Sequence, residues 1–185
     1  MANTYTQIYI QTVFTVQNRI SLIQSEWQEE LFKYITGIVQ NNGHKLIAVN
    51  GMPDHLHLFV GMKSNQSLSD LMQDVKGDSS KWIHEKGFVK GRFEWQAGFG
   101  GFSYSISQID AVVKYINNQV KHHRTKSFIE EYMEFLEKFK VPFDERYIFK
   151  PVEYWHNVSN GILIWFEYDT MNIKSLAGYL LENRI

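Results

Sequence analysis

Two short segments carry most of the chemistry this sequence offers. His55-Leu56-His57-Leu58-Phe59-Val60 sets two histidines one residue apart. In a strand, residues two apart point to the same side, so His55 and His57 project together while Leu56 and Leu58 enter a core. Two imidazoles side by side are half of a metal site; the same pair also occurs as half-exposed strand histidines with no ligand. The second segment, Tyr115-Ile116-Asn117-Asn118-Gln119, puts a tyrosine and a glutamine one helical turn apart on one face. A tyrosine hydroxyl can be a covalent nucleophile, and an amide oxygen can ligate a hard cation. The pair is equally an ordinary solvated helix face. A third stretch, Phe93 to Ser103, interleaves aromatics with glycines, which suits base stacking, a hinge, or packing beside a turn. It is no phosphate loop, since no Gly-Lys-Ser/Thr follows.

The elements that must position these residues are legible from periodicity. Thr4–Val16 alternates and is rich in β-branched and aromatic residues, so it reads as a strand. Ser25, with Gln28 three residues on, opens a helix carrying Trp27, Leu31, Tyr34, Ile35 and Ile38, stopped by Asn41-Asn42-Gly43. His44–Asn50 and His55–Met62 are strands joined by the Gly51-Met52-Pro53-Asp54 turn. Ser67 begins a second helix that Gly87 ends, with Gly77 as a weak point inside it. Arg92–Ala97 is expected as the fourth strand, Gly98-Phe99-Gly100-Gly101 as a flexible break, and Phe102–Ser105 as a short extended piece. Ser107 caps a third helix running to about His123, and Ser127–Lys140 is a fourth, amphipathic and acidic. The order β-α-β-β-α-β followed by helices is the ferredoxin-like pattern: an α+β fold with an antiparallel sheet, helices on one face, and a further helix bearing the tyrosine. Fold alone does not fix function.

Composition narrows the options. The 185 residues are 44% apolar and 21% charged, ordinary for a globular protein. There is no cysteine, so disulfides, zinc ribbons and thiol nucleophiles are excluded, and any metal falls to His, carboxylate, amide or backbone oxygen. The net charge is −1, but it averages a +4 segment over 63–126 against a −3 segment over 127–153. Three histidines, His84, His122 and His123, add to the basic segment below neutral pH. No segment of this sequence reads as a targeting signal, and the longest apolar run, Gly161–Phe166, is far short of a membrane span, so a cytoplasmic protein is expected. The tail, with Tyr154, Trp155, Trp165, Phe166 and Tyr168, is too apolar for a linker. It is expected to add a strand and a short helix or to pack on a partner.

Taken in order, three segments resemble the single-tyrosine HUH transposases of small bacterial insertion sequences and the related REP-associated tyrosine transposases. They are Pro53-Asp54-His55-Leu56-His57, Trp95-Gln96-x-Gly98-Phe99-Gly100, and Tyr115-Ile116-x-x-Gln119. The resemblance runs from about Thr4 to Phe149, which gives one catalytic domain over 1–149 and a C-terminal extension of unassigned role over 150–185. It implies that His55, His57 and Gln119 hold a divalent metal, Mg²⁺ or Mn²⁺, and that Tyr115 is the nucleophile. No nucleotide cofactor is implied. Gly100 and Gly101 would be the hinge that lets the tyrosine helix swing. The implied partner is single-stranded DNA, with hairpins at the element ends. The implied assembly is a homodimer whose tyrosine helix reaches the partner's histidines.

The implied activity is cleavage and rejoining of single-stranded DNA through a 5′-phosphotyrosine. A free tyrosine titrates near pH ~10, so Tyr115 needs activation. Lys114 and Lys121 stand near it in sequence, though no general base is identifiable. DNA contacts are expected from Lys114, Lys121, Arg124 and Lys126. Two rivals remain open on the residues alone: a non-catalytic nucleic-acid-binding module of ferredoxin-like fold, and a metal-dependent phosphodiester hydrolase that uses water.

Overall fold

A computed structural model describes residues 5–144, 148, 156–157 and 163–164. The chain forms two compact units, Met1–Lys150 and Pro151–Ile185. In the second, the described residues are two short strands, His156–Asn157 and Leu163–Ile164, paired antiparallel. The tail aromatics Tyr154, Trp155, Trp165, Phe166 and Tyr168 lie outside the described residues.

In the first unit the order is β1 (Ile8–Thr15), α1 (Ser25–Asn41), β2 (Lys45–Met52), β3 (His55–Met62), α2 (Leu68–Lys86), β4 (Gly100–Tyr104), α3 (Ile109–Asn117), α4 (Gln119–His122) and α5 (Phe128–Lys138). The four strands make one antiparallel sheet in the order β2-β3-β1-β4. That is the expected ferredoxin-like, α+β sheet. Among the described residues no helix is long and apolar enough to cross a membrane.

Strand alternation sorts the sheet into two faces. Phe14, Leu56, Leu58 and Val60 pack on Trp27, Leu31 and Ile35 of α1 and on Leu71, Val75 and Ile83 of α2. The opposite face carries Val13, Phe59 and Phe102. Phe102 and Val13 meet Phe128 and Phe135 of α5, and Phe59 meets Val112 and Ile116 of α3. The C-terminal helices therefore roof the face that α1 and α2 leave bare.

Local signals hold at several helix ends. Ser67 caps α2 by accepting from the Asp70 amide, and Gly87 ends it in the left-handed region at φ 67°. Gly77 sits in α2 without interrupting it. Ser127 and Glu130 form a reciprocal capping box at the start of α5. The box expected at Ser25 does not form. Gln24 occupies the cap without a side-chain bond, and the Gln28 amide instead donates to the Gly51 carbonyl at 3.4 Å.

Two expectations shift. The fourth strand is Gly100–Tyr104, one segment later than Arg92–Ala97. Phe93 and Trp95 alternate like strand residues, yet they are buried against the α1–α2 core, and this stretch meets the end of β1 through an isolated bridge, Val16 to Trp95, and through Gln96, which bonds Thr15, rather than through a ladder. Lys76 holds the connection by donating to the Gln96 and Gly98 carbonyls at 2.6 and 2.8 Å. Gly98, at φ 80°, makes the turn. Gly100 and Gly101, expected as a flexible break, are strand residues paired with Val13 and Thr12. A Cβ on Gly100 would stand 2.8 Å from the Tyr132 ring, so packing of α5 accounts for the missing side chain. The second shift is in the third helix, which breaks at Asn118 into α3 and α4. Asn50 of β2 donates to the Ile116 and Asn117 carbonyls at 2.9 and 3.2 Å, and Asn118 donates to the Lys114 carbonyl at 2.8 Å. These side chains satisfy carbonyls that a continuing helix would have used.

Candidate active site

The site is built on β3. Its first residue, His55, and the next on the same face, His57, point under the C-terminal helices and are 1% and 0% exposed. Buried polar groups need partners, and each ring has one. Asp54, in the turn before β3, accepts from His55 Nδ1 at 2.7 Å through Oδ1. Its Oδ2 accepts two bonds from Arg19, at 3.0 and 2.9 Å. Burial pushes the Asp54 carboxyl up, but the bond and charge of His55 and then Arg19 outweigh it and hold the group at about 2. Asp54 is therefore ionised and accepts only, so His55 carries its proton on Nδ1. When that ring is neutral, Nε2 offers a lone pair to the centre of the site.

His57 Nδ1 lies 3.0 Å from the Gln11 side-chain nitrogen, and Gln11 Oε1 accepts from the Tyr104 hydroxyl at 2.9 Å. Turning the Gln11 amide over would let its oxygen accept from His57 Nδ1 and its nitrogen donate to Tyr104, so Gln11 can serve either tautomer of the ring. Burial pushes the His57 pKa down against the opposing pull of Glu131, which favours the neutral ring.

Two residues that sequence reasoning did not assign to the site join the histidine pair. His123, after α4, donates from Nδ1 to the Lys126 carbonyl at 2.9 Å, which leaves Nε2 free. Burial, then the neighbouring His55, lowers its pKa to about 4. His123 Nε2 stands 3.1 Å from His55 Nε2. Glu131 of α5 is 2% exposed. Its Oε2 lies 3.3 Å from His57 Nε2 and 3.4 Å from His123 Nε2. Its Oε1 accepts from the Tyr115 hydroxyl, and from Gln119 Nε2 at 3.0 Å.

One donor atom from each of His55, His57, His123 and Glu131 falls within 4.8 Å of the others. Among the buried atoms here with no hydrogen-bond partner are His57 Nε2, Glu131 Oε2 and Gln119 Oε1. The unpaired buried donors on His57 and Glu131 within this group fit a cation, and a set of imidazoles with a carboxylate is metal-ligand chemistry.

Of the residues singled out in the sequence, His55, His57, Tyr115 and Gln119 come together. The Tyr115 ring is 6.1 Å from the His57 ring of the same chain. A cavity of about 240 Å³ beside it is lined by Gln11, Tyr104, Tyr115, His122, Glu131 and Phe135, among others. Lys114, Lys121 and Arg124 are exposed near this region of the chain, and Lys126 is half-buried and ion-paired with Glu134. Glu131 had a sequence signal: it lies on the Phe128-Tyr132-Phe135 stripe, the apolar side of an otherwise acidic helix. His122 and His123 counted in the sequence only as basic charge.

Comparison with known proteins places this geometry in context. A family model described as transposase, IS200 like, matches residues 4–119. That stretch contains His55, His57, Tyr115 and Gln119 and ends before His123 and Glu131. ISDra2 transposase TnpA of Deinococcus radiodurans is 27% identical over 75 residues, 40% of this chain and 54% of that protein, so the match spans about half of the curated relative. A solved structure from the same organism, described as a transposase, covers 64% of this chain and 95% of its own at 21% identity and a TM-score of 0.53, which is a likeness of fold. The structure of a REP-associated tyrosine transposase bound to a REP hairpin covers 89% of this chain and 97% of its own at 17% identity and a TM-score of 0.49.

Proposed function

The chain belongs to the IS200-like transposase family, and from that premise we propose that it cleaves and rejoins single-stranded DNA with Tyr115 as nucleophile. The observation that carries the reading is the Tyr115 hydroxyl, bonded to Glu131 Oε1 at the edge of the histidine cluster. His55 and His57 would hold a divalent cation, Mg²⁺ or Mn²⁺, whose chemistry when bound is to offset charge on the scissile phosphate.

The chain's own residues account for the rest. Tyr115 Oη forms a bond to phosphorus as its proton passes to Glu131 Oε1. The bond from phosphorus to the 3′ oxygen breaks, and that oxygen takes a proton from solvent. The products are a 5′-phosphotyrosine and a free 3′-OH. Rejoining runs the same path backwards: an incoming 3′-OH attacks phosphorus, and the departing Tyr115 oxygen recovers its proton from Glu131. The phosphodiester energy is conserved in the protein–DNA bond, so no nucleotide cofactor is required. Lys114, Lys121, Arg124 and Lys126 would contact backbone phosphates, which makes affinity fall steeply with salt. DNA hairpins at the element ends are the expected substrate. Sharing of sites within a homodimer is the family expectation; the closeness of Tyr115 to His57 within one chain supports a site complete in a single protomer.

The test is labelled single-stranded DNA carrying hairpins, incubated with Mn²⁺ and run on a denaturing gel. A covalent band in wild type that is lost in Tyr115→Phe is expected. Free cleavage without a band would mean a water-using hydrolase, and binding with neither would mean a non-catalytic module.

A further inference from the structure

We propose that His123 and Glu131 are direct metal ligands that complete a four-donor site with His55 and His57, and that Gln119 acts through Glu131. The separations carry it. Four donors each about 2.1 Å from a common centre in a tetrahedral array stand about 3.4 Å apart. Three of the six donor pairs lie near that separation, at 3.1 Å for His55 and His123, 3.3 Å for His57 and Glu131, and 3.4 Å for His123 and Glu131, and all six fall within 4.8 Å. These contacts run as a continuous chain through all four residues. The two contacts to Glu131 Oε2 leave that oxygen and His57 Nε2 without a hydrogen bond, and the four side chains are at most 6% exposed, as ligands around a cation are.

The groups behind the donors point the same way. His55 is held from behind by Asp54 and His123 by the Lys126 carbonyl, so both rings turn Nε2 inward. Ligating histidines characteristically donate their other nitrogen to a carboxylate or a carbonyl. Gln119 is placed differently. Its amide nitrogen donates to Glu131 Oε1, the oxygen that also receives Tyr115, which steers Oε2 toward the histidines. Glu131 would then join the nucleophile and the metal site through its two oxygens. Three imidazoles and one carboxylate suit Mn²⁺ or Co²⁺ better than Mg²⁺, which favours oxygen.

The inference rests on the metal-assisted reading above, and the experiment separates the two. Mn²⁺ and Mg²⁺ are titrated calorimetrically, without DNA, into the full chain and into His123→Asn, Glu131→Gln and Gln119→Ala. Wild type is expected to bind Mn²⁺ at least tenfold tighter than Mg²⁺. His123→Asn and Glu131→Gln should each weaken Mn²⁺ by at least about tenfold and alter the visible spectrum of bound Co²⁺, while Gln119→Ala changes affinity less than either. Circular dichroism and thermal melts of the metal-free variants show whether each is folded, and a folded variant is the one that counts. Wild-type binding with His123→Asn and Glu131→Gln within twofold of it would overturn the inference and leave the transposase reading standing. A wild type that binds no divalent metal would overturn both.

Discussion

One strand, β3, serves two different interiors. Its even-numbered residues Leu56 and Leu58 close a dry core with α1 and α2, while its odd-numbered His55 and His57 sit in a polar chamber under α3, α4 and α5. Both faces are buried, so burial does not distinguish them. The difference is in what burial demands. An apolar side chain needs only close neighbours and gains about 25 cal/mol per Å² of surface removed from water. Each imidazole needs an orienting partner: Asp54 for His55, Gln11 for His57, the Lys126 carbonyl for His123. Stability should therefore reside mainly on the leucine face and chemistry on the histidine face.

Substitutions on the two faces test that division. His57→Leu should reduce covalent adduct to background at a cost of about 1–3 kcal/mol in urea unfolding, because the buried Gln11 amide loses its partner. Retained adduct in that variant would break the comparison. Leu58→Ala should do the reverse, costing about 2–5 kcal/mol in urea unfolding, with adduct yield preserved wherever the variant is still folded.

Acid should separate the faces next. The folded Asp54 carboxyl, held at about 2, lies below its ordinary 3.8, so its stabilisation is present above about pH 4 and is lost as pH falls toward 2. That is worth about 2 kcal/mol. His123, held neutral near 4 rather than at its ordinary 6.5, works in the same direction: the metal-free protein loses stability as pH falls from about 6.5 to 4. Unfolding measured across this range should show the gap between wild type and Asp54→Asn narrowing below pH 4; a gap that does not change with pH would remove Asp54 from the account. The smallest effect belongs to α2, on the dry side. Gly77 lies mid-helix, and a Cβ there meets nothing within 4 Å, so Gly77→Ala should raise stability by about 0.5–1 kcal/mol with activity unchanged. A loss of stability would show that the helix needs its glycine.

The sequence showed some of this and hid the rest, for physical reasons. The His-x-His alternation told which side chains share a face, because strand period is fixed by the backbone. Ser67 and Ser127 announced their helices, because capping acts over three residues. The break at Asn118 was hidden, since the Asn50 amide that caps α3 comes from 66 residues away. The fourth strand was misplaced because Phe93 and Trp95 alternate for the sake of a core rather than a ladder. Glu131 stood on an apolar stripe in plain view but passed for part of an acidic surface. His123 depended on a tertiary approach that no local pattern reveals.

Gly100 leads to a consequence of another kind. The Tyr132 ring closes to 2.8 Å from where a methyl group at that position would be, and Gly100 pairs with Val13, which in turn pairs with His57. Tyr132 follows Glu131 directly in α5. The bare backbone thus works as a depth gauge. It sets how far α5 sinks toward the sheet, and so how far the carboxylate reaches across to the imidazoles. The tolerance of the whole centre is the thickness of one absent carbon.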